Sequence, residues 1–385
     1  MNNIFKSIGG GNEIGASCYY LCCNNLNFIF DAGIRYESKR RYPSFSELLK
    51  LPNLDNFNDI NGIFISHGHY DHNGALPLLV SKLNSNKEII CSDYTKDFTE
   101  VQLNILKKHA GIPGYSMYED ILVDKAIGML STYPLENKIK KNGYTFTFYK
   151  AGHIPGAVMT LLEIEDKKIL YTGDFSDMSY PLVEKYSLPK IEDLDLLIVN
   201  STSVFKKDDR WKTTWGSGES RVKDLIKRIF LYNQLNIEVN QVSNGVELAI
   251  LINNELEKTD FKRMGITIFV DEPISKMLEI IKRREGIEFL NIKDFNEREN
   301  LKNNGIYITL KKSIRLAKVN KIQLNYSLHE SYEGIKELIL KLKPKKTLIT
   351  HYQEKDNTTD ILVKELKENG YENCEYVINE KEYNF

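Results

Sequence analysis

Residues 65 to 76 read "ISHGHYDHNGAL". Three of the chain's seven histidines, His67, His69 and His72, fall here within six residues, together with Asp71. They follow a short apolar, strand-like run, "GIFIS". Histidine is an uncommon core residue, and four such groups are hard to bury and satisfy together. A solvated polar loop explains the crowding poorly, so the cluster points to chemistry.

The rest of the chain is of ordinary globular make-up. It has 385 residues, 42% hydrophobic and 27% charged, with a formal net charge of −1. That length allows one large or two ordinary domains with a sizeable core. The opening "MNNIFKSIGGGNEIGAS" lacks the apolar stretch of a secretory leader, and no run approaches the roughly 18 apolar residues of a membrane span. The expectation is a cytoplasmic protein without membrane association. Five scattered cysteines, Cys18, Cys22, Cys23, Cys91 and Cys374, argue against a disulfide framework. Of the adjacent Cys22 and Cys23, one is expected to face the core as a small hydrophobe.

The first third reads as strands closed by turns: "SCYYLCC", "LNFIFDAG" and "INGIFIS". Helices are expected in "FSELLKLPNL", "NGALPLLVSKL" and "TKDFTEVQLNILKKHAG". "YTFTFYKAGH" is a strand ending on His153, and "AVMTLLEIEDKKILYTGD" is a hairpin ending on Asp174. "LDLLIVNSTS" is a further buried strand. After about residue 205, amphipathic helices alternate with the short β-runs "NIEVN", "ITIFVD" and "IYITL", which argues a parallel α/β unit. Then "KIQLNYSLH", "YEGIKELILKL" and "KKTLITH" give strand, helix, strand.

Five histidines lie where a β-run ends: the three of the cluster, His153 and His351. Asp174 does too. Strand-end loops are where a rigid scaffold presents functional groups. Singly, His153 could be a capped core residue, Asp174 a turn residue and His351 a strand-end residue bound to backbone. Converging on one sheet edge, they supply five imidazoles and two carboxylates, a donor set that suits two Zn²⁺ ions, with Mn²⁺ also compatible. Two such ions about 3.5–4 Å apart can share a hydroxide and clamp a phosphoryl group. His109 sits at a helix C-terminus and is read as structural.

With these residues in view, the chain resembles the metallo-β-lactamase fold. "GGGNEIGASCYYL", "DAG", "SHGHYDHNGALP", "AGHIPGAVMTLLEI", "KKILYTGDFSD" and "YSLHESYEGIKELILKLKPKKTLITH" are similar to its β-CASP nucleases. These include ribonuclease J, the nuclease of the pre-mRNA cleavage and polyadenylation factor, and the Artemis-type enzymes. The resemblance covers residues 1 to 204 and 320 to 352 and is only architectural between them. It implies an αββα sandwich of two mixed sheets: a first part over 1–204, a β-CASP-like insert over 205–318 and a closing part over 319–385. It implies that His67, His69 and His153 hold one zinc, that Asp71, His72 and His351 hold the other, and that Asp174 bridges them. It further implies that His329 acts at the scissile phosphate or leaving group, and that Asp71 and Asp174 take part in catalysis. A histidine at the position of His351 accompanies RNA substrates in this family, so single-stranded RNA is the expected substrate and DNA the less favoured one.

Two departures stand out. Asn200, in "LIVNSTS", replaces the family's usual acidic residue and carries no charge. The insert is short and lacks the family's Gly-rich stretch after "IYITL". A different substrate, weak activity, or a channel completed by a partner would each account for it, and a homodimer or a partner subunit is a further expectation. Basic runs occur at 39–41, 138–141, 311–321 and 341–346. The third, with Lys311, Lys312, Arg315 and Lys318, is read as phosphate-contacting, and Ser327 and Asn200 as further substrate contacts. Trp211 and Trp215 are read as packing rather than base-stacking residues. The leading expectation is a two-metal phosphodiesterase cutting RNA, as an exonuclease, an endonuclease or both. The alternatives are a small-molecule hydrolase of the same fold and a weakly active or non-catalytic RNA-processing subunit.

Overall fold

The structure is a computed structural model. It describes residues 3–35, 40–51, 54–83, 87–108, 117–179, 181–202, 234–239, 242–258, 265–295, 305–310, 320–323, 328–353 and 359–385. The calls on His109, Trp211, Trp215, Lys311, Lys312, Arg315, Lys318 and Ser327 lie outside these residues.

The N-terminal half builds a first sheet from β1 (Ile4–Gly9), β2 (Cys18–Cys23), β3 (Leu26–Phe30), β4 (Ile60–Phe64), β5 (Ile89–Cys91) and β6 (Leu130–Thr132). Helices α1 (Tyr70–Asn73), α2 (Leu76–Val80), α3 (Asp93–Ile105) and α4 (Asp120–Gly128) interleave with it. The helix expected in "NGALPLLVSKL" is the shorter α2, a separate single turn, α1, precedes it within the histidine cluster, and "FSELLK" closes as a 3-10 turn. A second sheet takes β7 (Ile139–Lys140), β8 (Thr145–Lys150), β9 (Val158–Ile164), β10 (Lys167–Tyr171) and β11 (Leu196–Asn200). The third group is β12 (Gln234–Val239), α5 (Val242–Lys258), β13 (Thr267–Val270), α6 (Glu272–Glu285), β14 (Ile292–Asp294), β15 (Gly305–Leu310) and β16 (Asn320–Gln323). The chain closes with α7 (Tyr332–Leu342), β17 (Lys346–Thr350), α8 (Thr359–Glu368), β18 (Cys374–Tyr376) and β19 (Glu382–Asn384).

The two seven-stranded sheets run β19-β1-β2-β3-β4-β5-β6 and β18-β17-β11-β10-β9-β8-β7. Each is mixed. From β3 to β6 the pairs are parallel, as they are from β18 to β10, and the remaining pairs are antiparallel. The C-terminal ends of β3 and β4 therefore lie at one edge of the first sheet. The ends of β8, β10, β11 and β17 lie at one edge of the second, because β8 is reversed twice relative to β10. The third sheet, β14-β13-β15-β12-β16, is parallel throughout. It includes β16 and so runs past the expected boundary at 318.

The sandwich is held by an aromatic slab. Phe28, Phe30, Phe64, Phe146, Phe148 and Tyr171 are buried between the two sheets, with ring centroids 5.0 Å apart for Phe30 and Tyr171 and 5.2 Å for Phe64 and Phe146. Each such pair adds about 0.5–1.5 kcal/mol to the area buried. The period-2 alternation of a strand explains why β2 is buried throughout: Cys18, Tyr20 and Cys22 face the helices outside the first sheet, while Tyr19, Leu21 and Cys23 face the slab. Both Cys22 and Cys23 are thus core residues, not one of them. The outer face of the second sheet and the third sheet with its helices share one continuous apolar core.

Candidate metal centre

The ends of these parallel strands bring the polar residues together. Beyond β4, His69 is extended (φ −82, ψ 150) and caps the single turn of α1, which places Asp71 and His72 on one side. The His69 carbonyl accepts from the His72 and Asn73 amides. Beyond β3 comes Asp31, beyond β8 His153, beyond β10 Asp174 and beyond β17 His351. Asp31, His153 and His351 have φ of 61, 64 and 55 degrees, the left-handed region that costs a non-glycine residue of order 1–3 kcal/mol. Backbone contacts hold them there: the Asp31 amide donates to Phe64 O at 2.8 Å, and the His351 amide to Gly10 O at 2.6 Å. The His153 Nδ1–H donates to Leu328 O at 2.8 Å, which leaves Nε2 as a lone-pair donor.

Two groups of donor atoms result. His67, His69, His153 and Asp174 form one, and Asp71, His72 and His351 the other, with the donor atoms of each group within 4.8 Å of one another. His67 Nε2 and His153 Nε2 stand 3.0 and 3.1 Å from His69 Nδ1. Asp174 Oδ2 faces both groups, 3.9 Å from His67 Nε2, 3.8 Å from His153 Nε2 and 3.4 Å from His72 Nε2. His351 Nε2 lies 3.6 Å from Asp71 Oδ2. His329 completes the cluster, its Nε2 3.0 Å from Asp174 Oδ2, and it is more open to solvent than the others.

Each remaining ring nitrogen is held from behind. Asp31 Oδ2 accepts from His72 Nδ1 at 2.7 Å, Ser66 Oγ at 2.8 Å and Tyr171 Oη at 2.5 Å. Ser17 Oγ meets His351 Nδ1 at 2.8 Å, and Ser66 Oγ meets His67 Nδ1 at 3.0 Å. Ser243 Oγ of α5 lies 2.5 Å from His69 Nε2. Asn200, expected as a substrate contact, is buried behind Asp174, donating Nδ2–H to Asp174 Oδ1 at 3.1 Å and accepting from Thr350 Oγ1 at 2.8 Å.

The electrostatics follow from burial and crowding. Burial, then neighbouring imidazoles, push His67 and His69 well below the usual histidine range. Burial and His329 push His153 down to about 3. Burial would lower His72 too, but Asp174 and Asp31 outweigh it and hold the ring well above its ordinary value. Burial opposes a charge on Asp174, yet His351, His72 and His329 hold its carboxyl well below the usual range. Asp71 Oδ1, His72 Nε2 and His351 Nε2 are buried without a hydrogen-bond partner. Buried polar atoms left so are rare, and these three belong to one donor group. Neutral imidazoles and carboxylate oxygens are the donors Zn²⁺ takes, so the residues fit a pair of divalent ions.

Away from the centre, described members of two basic runs are paired. Lys138 bridges Glu163, Lys141 bridges Glu88, Lys345 bridges Asp195 and Lys346 bridges Glu375. Ser17, Ser66, Tyr171 and Ser243 were not legible as site residues, because each only contacts a residue of the cluster or Asp31 and has no metal-binding chemistry of its own. Asp31 carried a signal, standing directly after the apolar run "LNFIF".

Comparison with known proteins agrees with this geometry. Residues 11–177 match the metallo-beta-lactamase superfamily. The chain is similar to cleavage and polyadenylation specificity factor subunit 3-I of Arabidopsis thaliana, 29% identical over 203 residues, which covers 52% of this chain and 28% of the relative. It is similar to endoribonuclease YSH1 of Eremothecium gossypii, 31% identical over 209 residues, covering 51% of this chain and 26% of the relative. The chain thus spans about a quarter of the length of these curated relatives. A crystal structure of a protein of unknown function from Enterococcus faecalis V583 shares the fold over 100% of both chains, with a TM-score of 0.64 and 13% identity. Residues 11–177 are thus similar to the metallo-beta-lactamase superfamily, and about half of the chain is similar to a cleavage and polyadenylation specificity factor subunit and to endoribonuclease YSH1.

Proposed function

We propose that the chain is a ribonuclease that hydrolyses phosphodiester bonds with two divalent ions. The observation that carries this reading is the position of Asp174 Oδ2 between two imidazole-rich groups, with His329 against it. His67, His69 and His153 would hold one ion and Asp71, His72 and His351 the other, with Asp174 shared. When bound, zinc or manganese would polarise a phosphoryl oxygen and lower the pKa of a water.

The chain's own groups do the rest. Burial keeps the imidazoles of the first group neutral, and therefore able to act as donors. Asn200 holds Asp174 Oδ1 through its amide and so turns Oδ2 toward both ion positions. His329 is the one histidine of the centre open enough to meet a substrate, and its Nε2 can give a proton to a departing oxygen. A phosphodiester is favoured over a small acyl substrate because His329, from the segment before α7, lies outside both donor groups, where a leaving group needs it. Curated relatives named as endoribonucleases support RNA. We read the third sheet and its helices as an insert over the site edge. Five buried free cysteines support a reducing, cytoplasmic setting, and no helix among the described residues is long and apolar enough to cross a membrane.

Single-turnover cleavage of end-labelled single-stranded RNA and matched DNA, by protein of measured metal content, tests this. RNA cutting that Asp71→Ala abolishes is the expected result. Two bound ions with neither polymer cut would refute the nuclease reading and favour a small-molecule hydrolase.

A further inference from the structure

The third layer touches the metal centre through α5. Ser243, its second residue, is 5% exposed, and its Oγ lies 2.5 Å from His69 Nε2. The other nitrogen of the same ring, Nδ1, faces the Nε2 atoms of His67 and His153 at 3.0 and 3.1 Å. A neutral imidazole has one N–H and one lone pair. The three nitrogens can all turn lone pairs to one point only if His69 keeps its proton on Nε2, and Ser243 Oγ is the acceptor there. Val242 and Val246 beside it are buried in the core that joins the third layer to the second sheet, so the hydroxyl is fixed by packing.

Resting on the two-ion reading, we propose that Ser243 is a positioning residue that selects the Nε2–H tautomer of His69, so that ion capture by the His67, His69 and His153 group depends on the seating of α5. Coupling of this kind is reciprocal. An ion in that group strengthens the hold of α5 on the sandwich, and an unseated α5 weakens the ion. A hydrogen-bonded partner behind a metal-binding histidine typically contributes 10–100-fold in metal affinity.

The test uses the intact chain, Ser243→Ala and Ser243→Thr. Zn²⁺ affinity is measured by competition with a chromophoric chelator, and amide hydrogen exchange of residues 242–258 is followed with and without Zn²⁺. Two ions are expected in the unaltered chain. Ser243→Ala should weaken one of them about 10–100-fold and leave the other, while Ser243→Thr, which keeps the hydroxyl, should bind nearly as the unaltered chain does. Zn²⁺ should slow exchange over 242–258 in the unaltered chain and not in Ser243→Ala. Affinities for both ions in Ser243→Ala that match those of the unaltered chain overturn the inference. So does exchange in the unaltered chain that ignores Zn²⁺, a result that stands even if Ser243→Ala misfolds. An unaltered chain that binds no Zn²⁺ is a separate result and removes the metal reading itself.

Discussion

His329 Nε2 lies 3.0 Å from Asp174 Oδ2, although 155 residues separate them. The histidine comes from the segment before α7 and the aspartate from the end of β10, and the contact joins the part of the centre that meets solvent to the part that faces both donor groups. The ring of His329 also lies against that of His153, with centroids 4.7 Å apart. A group so placed can act on a substrate without holding an ion.

His329→Ala should therefore slow RNA cleavage by about 10²–10⁴-fold, the usual range for a lost proton donor. Metal content should stay at that of the unaltered chain. Parallel single-turnover kinetics and elemental analysis check this, and loss of an ion would reassign His329 as a ligand.

Asn200 has the opposite character. Restoring a carboxylate with Asn200→Asp removes the Nδ2–H that Asp174 Oδ1 accepts at 3.1 Å and sets two buried acids together. Like charges this close disfavour ionisation of both. The ion-free variant should be less stable by about 1–3 kcal/mol, the cost of an unmet buried polar group. Saturating Zn²⁺ should recover most of the loss. Denaturant unfolding with chelator and with Zn²⁺ reads both values.

Gly33 tests how the cluster is held. A Cβ at this position would stand 1.7 Å from the Asp71 carbonyl oxygen. The nearest atoms are all backbone of Asp71 and His72, so no flexible side chain can yield. Gly33→Ala should displace α1, destabilise the fold by about 3 kcal/mol and lower metal content at the group of Asp71 and His72. Normal zinc content in a soluble Gly33→Ala protein would show that α1 adapts.

Glu247, one turn along α5 from Ser243, gives a pH signature. It is 1% exposed, and burial pushes its carboxyl up to about 8 from 4.5, with the Leu182 backbone opposing the shift. Between those values the folded chain holds a proton that the unfolded chain has lost. Stability should then fall as pH rises through that window, by about 1.4 kcal/mol per unit for one proton. Glu247→Gln should flatten the slope. Unfolding midpoints from pH 5 to 8 decide it, and identical slopes for the two proteins would count against a neutral Glu247.

By itself the sequence determined the strands and the residues that follow them. "GIFIS", "YTFTFYK", "KKILY" and "KKTLIT" are short apolar or alternating runs, and that periodicity is a local property of the chain. So is the choice of His67, His69, Asp71, His72, His153, Asp174 and His351 as the residues at their ends. The tertiary structure decided which ends share an edge, because parallel neighbours such as β10, β11 and β17 pair across long stretches of chain, for β11 and β17 the whole third layer, that no local pattern encodes. It also decided the pairing of β19 with β1, the turning of Asn200 inward onto Asp174, and the approach of Ser243 to His69 across 174 residues of chain. Those contacts depend on register and on the docking of whole layers, where burial drives the approach and each hydrogen bond forms only after the layers meet.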